Sequence, residues 1–176
     1  MGKGGGYLMT VSQAKELFRQ LVKEHFANST VIFDRQSRVP KPDLPLVTIA
    51  PGNVKRHRAA NEILDLPERE GYIHSKISFV IDLFSHGAPV YDDDTRMEIA
   101  REDTATDEMS QFVNFLDSEY VTLWSNRNDV AVQVEGDVQN LTGAVNDTTY
   151  EFRSRLSVNF YFTQKTVGDK ATPAFS

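Results

Sequence analysis

The stretch YEFRSRLSVNFYFT, Tyr150 to Thr163, decides the fold. Its even positions Phe152, Leu156, Val158, Phe160 and Phe162 form an apolar row broken only by Ser154. Its odd positions read Glu151, Arg153, Arg155, Ser157, Asn159, Tyr161 and Thr163. Successive side chains of a strand point to opposite faces, so the pattern gives one buried face and one wet, partly basic face. At ~3.3 Å per residue the stretch would span ~46 Å, against ~17–20 Å for an ordinary core strand. Either it bends, or one end projects beyond the core as part of an arm. A long two-faced strand supports packing and assembly, whereas catalysis needs polar groups converging in a pocket.

Tyr72 to Phe84 repeats the alternation. Ile73, Ile77, Phe79, Ile81 and Leu83 share one face; His74, Lys76, Ser78 and Asp82 share the other, with Val80 an exception. Two such strands make antiparallel neighbours in a sheet with one covered face. Two helices supply the cover. The first starts at Thr10, whose spacing to Gln13 fits a capping box, and carries Val11, Ala14, Leu17, Phe18, Leu21, Val22 and Phe26 as one stripe up to a stop near Asn28. The second lies within Asp107 to Trp124, with Met109, Phe112, Val113, Leu116, Tyr120, Leu123 and Trp124 as its stripe.

Shorter strands are expected at Thr30–Phe33, Leu46–Ala50 and Val130–Val134, the last followed by a bulge or bend at Gly136. Pro40, Pro42 and Pro45 prevent regular structure between the first two. Asn53 to Arg58 reads as extended and basic, Glu62 to Gly71 as charged and turn-like, and Gly143 to Thr149 as a polar turn. Gly87 and Pro89 end the Tyr72 strand, and a short helical turn is expected around Met97 to Arg101. The expectation is an α+β fold: a mainly antiparallel sheet of about five strands with two helices packed on one face. It comprises one domain over 10–165, a flexible N-terminal tail over 1–9 and a loose C-terminal tail over 166–176.

The chain has 176 residues, enough for one domain that buries a core without disulfides or metals. It has no cysteine, which removes disulfide scaffolds, thiolate zinc sites and cysteine nucleophiles together. The formal charge of −6 opposes non-specific binding of nucleic acid. No apolar run approaches the ~18 residues of a membrane-spanning helix. The glycine-rich start lacks the apolar segment of a signal peptide, and Gly6 stands where a myristoylation signal needs Ser or Thr. The sequons at Asn28, Asn140 and Asn146 match by composition only.

Asp92, Asp93 and Asp94 with Glu98 are the most metal-like cluster, but the alternating ligands and glycine of a calcium loop are missing, and adjacent carboxylates usually form a solvated loop. None of His25, His57, His74 and His86 falls in a metal-binding spacing; His25 borders the first helix's apolar stripe and reads as packing. Neither a nucleophile elbow nor a phosphate-binding glycine loop is present. No cofactor is therefore expected, and the chain does not read as an enzyme. Lys55-Arg56-His57-Arg58 is the densest basic run, suited to contact with nucleic acid or an acidic protein surface, or to a solvated hairpin edge, which is favoured over nucleic acid. Arg153 and Arg155, both on the wet face of the last strand, also suit an acidic partner.

The ordered pattern resembles a known family. Ala14-Lys-Glu-Leu-Phe18 leads to Phe26-Ala-Asn28, a proline-rich crossing to Leu46-Val-Thr-Ile49, and a Gly52-Asn-Val54 turn with basic residues. Then come Ile81-Asp-Leu-Phe84, Phe112-Val-Asn-Phe-Leu116 and Glu151-Phe-Arg-Ser-Arg155 before the alternating strand. From Thr10 to Thr163 this is similar to the neck and tail-terminator proteins of tailed bacteriophages. The resemblance implies a virion structural subunit, made in the host bacterial cytoplasm, that forms a ring, usually a hexamer, on the head-proximal end of the tail tube. The ring stops tube growth and presents a docking surface to the head connector. The implied partners are other copies of the chain, the tube protein and the head-completion or connector protein, with the sheath as a further candidate. Genomic DNA passes through the lumen without specific binding, and no membrane is involved. The alternatives are a head-completion protein, a tube subunit or, further off, a small-ligand or enzymatic domain. Expected assembly contacts are Lys55, Arg56 and Arg58, the Arg153/Arg155 pair, and the Asp92, Asp93, Asp94 loop.

Overall fold

The Thr10 hydroxyl accepts a hydrogen bond from the Gln13 amide at 3.1 Å, and the Gln13 side chain accepts one from the Thr10 amide at 2.9 Å. This reciprocal cap starts the first helix of the structure, a computed structural model that describes residues 8–34, 42–57, 72–146 and 149–165. In chain order the elements are β1 (Leu8–Met9), α1 (Val11–His25), β2 (Thr30–Phe33), β3 (Leu46–His57), β4 (Tyr72–Ser85), β5 (Ala88–Tyr91) and β6 (Glu98–Glu102). They continue with α2 (Ala105–Leu116), α3 (Glu119–Asn128), β7 (Ala131–Asn140), β8 (Gly143–Asn146) and β9 (Thr149–Lys165).

β9 is the spine. Along one edge it pairs antiparallel with β4, from Phe152 opposite Ser85 to Lys165 opposite Tyr72. Its other edge is shared by three strands in succession: β8 at Thr149–Glu151, β7 at Ser154–Tyr161, and β1, parallel, at Thr163–Gln164. β3 extends the sheet antiparallel to β4, and β2 closes it parallel to β3.

The even row of β9 and the odd row of β4 face the helices. Phe18 of α1 stacks on Phe79 at 4.2 Å between ring centroids and lies 5.6 Å from Phe160. Phe112 of α2 packs 5.1 Å from Phe26, so both helices enter one core. Phe18, Phe79, Phe112 and Phe160 are all fully buried. Removing a phenylalanine side chain at such a position costs ~3–5 kcal/mol, which makes this aromatic cluster the main anchor of the helices on the sheet.

The fold-class expectation needs correction. Among the described residues the chain is mostly β, with seven strands in one mixed sheet, a separate two-stranded hairpin and three helices, rather than about five mainly antiparallel strands and two helices. The strands missing from the expectation are short, and the parallel pairings of β1 with the distant β9 and of β2 with β3 are not encoded by local alternation. The second helix divides at Asp117–Ser118, where Ser118 adopts extended backbone and caps α3 by accepting from the Val121 amide. The helical turn expected at Met97–Arg101 is strand β6 of the hairpin, and the polar turn after Gly143 is largely β8. Gly136 does mark a bulge: its φ is +76° and the β7–β9 register shifts between Glu135 and Gln139.

Candidate assembly interface

β9 passes beyond β4 at its Thr149 end, where its partner is β8. Val145 and Tyr150, on this extension, are 64% and 65% exposed. The β5–β6 hairpin leaves the body beside it, immediately after Ser85. Its root is tightly held. Ser85 Oγ bonds the Glu108 carboxylate, Thr104 Oγ1 donates to the same oxygen at 2.9 Å, and the Gly87 amide donates to Ser85 Oγ at 3.0 Å. Asp103, at the foot of β6, accepts from the Ala105 amide at 3.0 Å and from Thr142 Oγ1 at 2.7 Å, tying both extensions to α2. Gly87 has a φ of +73°, and a Cβ there would lie 2.5 Å from the Glu102 carbonyl oxygen.

Beyond this root the hairpin is largely exposed, with Ala88 and Asp92 half-buried. Tyr91, Met97 and Ile99 are 57%, 68% and 64% exposed. Asp92 shapes the turn: its carboxylate accepts from the Asp94 amide at 2.8 Å and its carbonyl from the Arg96 amide at 2.9 Å. Arg96 is left-handed, with a φ of +55°. Asp93 and Asp94 are exposed at the tip, and on β6 Arg101 pairs with Glu98 at 2.8 Å.

At the opposite end of the sheet, Lys55 stands opposite Lys76, Arg56 opposite Ser75 and His57 opposite His74. Like charges directly across a ladder repel. From His74 to Ser85 the sheet runs roughly 36 Å at ~3.3 Å per residue, so basic and acidic groups occupy its two ends. His57 and His74 also border an open depression of about 370 Å³ lined by Asp129, Ala131 and Tyr161.

Arg153 and Arg155 sit on the outer face of β9, and both reach Asp82 of β4. Arg155 Nε stands 2.7 Å from one carboxylate oxygen, and Arg153 Nη2 stands 2.7 Å from the other. Burial pushes the Asp82 carboxyl up, but hydrogen bonds from Arg155 and Arg153 outweigh it and hold the group below its ordinary value. Arg155 is raised in turn, chiefly by its bond to Asp82. The Arg153 guanidinium also lies 5.0 Å from the Phe84 ring centroid, within cation–π range.

Of the residues expected at contacts, the structure thus unites only Arg153 and Arg155. Lys55 and Arg56 lie at one end, Asp92, Asp93 and Asp94 at the other, and Arg58 lies outside the described residues. So do 1–7, 166–176 and the turn-like segment expected at Glu62 to Gly71. Sequence reasoning missed Asp82 as a partner and the apolar side chains of the hairpin. Among the described residues, no group of three or more His, Asp or Glu is placed to hold a metal ion, and no helix is long and apolar enough to cross a membrane.

Two extensions with uncovered apolar side chains, the β5–β6 hairpin and the β8–β9 end, project from a body held by packing. The family model described as phage neck terminator protein matches residues 15–173, and the chain belongs to that family. Among curated proteins, none matches it. The chain is thus a structural protein of the phage neck and tail.

Proposed function

We propose that copies of this chain close into a ring, with six the expected number, on the head-proximal end of the tail tube. The ring ends tube polymerisation and offers its free face to the head connector. The observation that carries this reading is the family match over residues 15–173. The uncovered extensions at one end of the sheet, where Tyr91, Met97, Ile99, Val145 and Tyr150 are exposed, support it independently. A two-stranded hairpin is at best marginally stable alone in water, and contact with a neighbour supplies the burial it lacks. The net charge of −6 suits a channel through which DNA passes without adhering.

The test is native mass spectrometry of purified protein across a wide concentration range, followed by its addition to polymerising tube protein. A closed ring that fixes tube length is expected. Self-polymerisation into long tubes would identify a tube subunit instead. Failure both to form a ring and to halt tube growth would overturn the reading.

A further inference from the structure

Resting on the ring reading, we infer that the ring contact is head-to-tail: the β5–β6 hairpin of one copy docks on the basic β3–β4 end of the next. The occupant of the hairpin surface is therefore a second copy of this chain. The first ground is apolar exposure. Among the described residues the hairpin is held at its root, and Tyr91, Met97 and Ile99 beyond it are each more than half exposed, apolar surface that a partner would cover.

The second ground is charge, which selects the occupant. The hairpin tip and its β6 arm carry Asp92, Asp93, Asp94, Glu98 and Glu102 against Arg96 and Arg101, which leaves acidic groups in excess, and Glu98 is already paired to Arg101. The far end of the same sheet holds Lys55 opposite Lys76 on the outer face, with Arg56 opposite Ser75 on the other face of β3. This like-charge pair opposes the folding of the single chain, and an acidic surface laid over it reverses the sign of that contribution. A single chain cannot bring the two ends together, because a rigid sheet of roughly 36 Å separates them. Two copies can. Because the two surfaces differ, the contact is heterologous, and repetition closes into a ring when the rotation per copy permits.

The absence of cysteine makes the contact directly testable. Two single-cysteine variants, Asp93→Cys and Lys55→Cys, place a thiol on an exposed residue at each end. Mixed under mild oxidation, they should form a disulfide between the two variants, with little of either self-linked dimer. Charge reversal by D93K with D94K should raise the concentration needed for assembly at least tenfold, and K55D with K76D in the same chain should recover most of that loss. A ring that assembles normally in D93K/D94K and yields no mixed disulfide overturns the head-to-tail contact while leaving the ring intact. A dominant Asp93→Cys self-linked dimer overturns it too. Open fibres linked by the mixed disulfide keep the contact and overturn the ring. A chain that stays monomeric, both alone and on tail tubes, overturns both.

Discussion

Asp82 and Arg155 stand opposite each other across the β4–β9 ladder, joined from Nε at 2.7 Å and from Nη2 at 3.0 Å. Arg153 reaches the same carboxylate from two residues away. Asp82 is 9% exposed, so one buried anion holds two partly exposed cations. Truncation by Asp82→Ala leaves both cations without their counter-charge and should cost about 2–3 kcal/mol, toward the lower end for buried pairs because the arginines reach solvent. Either arginine alone, as R153Q or R155Q, should cost about 1 kcal/mol, because the other remains. Urea unfolding midpoints measure both effects, and an unchanged midpoint for D82A would remove the clamp as a stabilising element.

The same clamp sets an acid limit. A carboxyl depressed in the fold binds fewer protons there than in the unfolded chain, whose value is ~3.9. Its contribution is complete above that value and is lost as pH falls through the lower folded one. Unfolding free energy measured from pH 6 to pH 2 should therefore drop more steeply below pH ~4 in the native chain than in D82N.

His25 acts in a different window. Burial lowers its pKa, with its ring 4.7 Å from Phe26, 5.3 Å from Phe112 and 5.0 Å from Phe115. The unfolded chain then takes up a proton first, near ~6.5, and stability falls from there until the folded value is passed. His25→Leu should flatten the stability profile between pH 7 and pH 5. A native profile already flat over that range would show that the ring titrates as if solvated.

Gly87 and Gly136 separate backbone strain from collision. Both have positive φ, +73° and +76°. Nothing lies within 4 Å of a Cβ at Gly136, whereas one at Gly87 would strike the Glu102 carbonyl oxygen and the Phe152 ring. Gly136→Ala should cost about 1 kcal/mol from backbone strain alone. Gly87→Ala should cost more and loosen the β5–β6 hairpin, read as faster proteolytic cleavage between residues 92 and 97. Equal costs would mean that the hairpin root yields freely.

Much of the sheet was legible because burial imposes alternation on its central strands. Tyr72–Phe84 and Tyr150–Thr163 read as antiparallel neighbours, and they pair along their whole shared length. The Thr10–Gln13 cap was legible because its two partners are three residues apart. What escaped depended on distant or very short segments. Leu8–Met9 has too few residues to show a period, and its partner, Thr163–Gln164, is far away along the chain. The helix break escaped because Phe112, Leu116, Tyr120 and Leu123 continue one stripe across Ser118. The guanidiniums of Arg153 and Arg155 were correctly turned outward, yet their partner depends on register. Asp82 is the one carboxylate on the wet face of β4, and matching it to those arginines would have fixed that register from sequence.

β9 has a consequence for biosynthesis. Among the described residues it is the last strand in chain order, yet it borders β1, β4, β7 and β8 and carries Phe160 against Phe18. The chain emerges from the ribosome at ≈ 5–20 residues per second, and until Thr149 and beyond arrive β2, β3 and β4 can pair while β1, β7 and β8 have no partner strand. The β5–β6 hairpin, translated earlier, gains its contact to Phe152 only when that strand arrives. A chain cut short ahead of β9 lacks the strand that borders β1, β4, β7 and β8 and cannot complete this sheet.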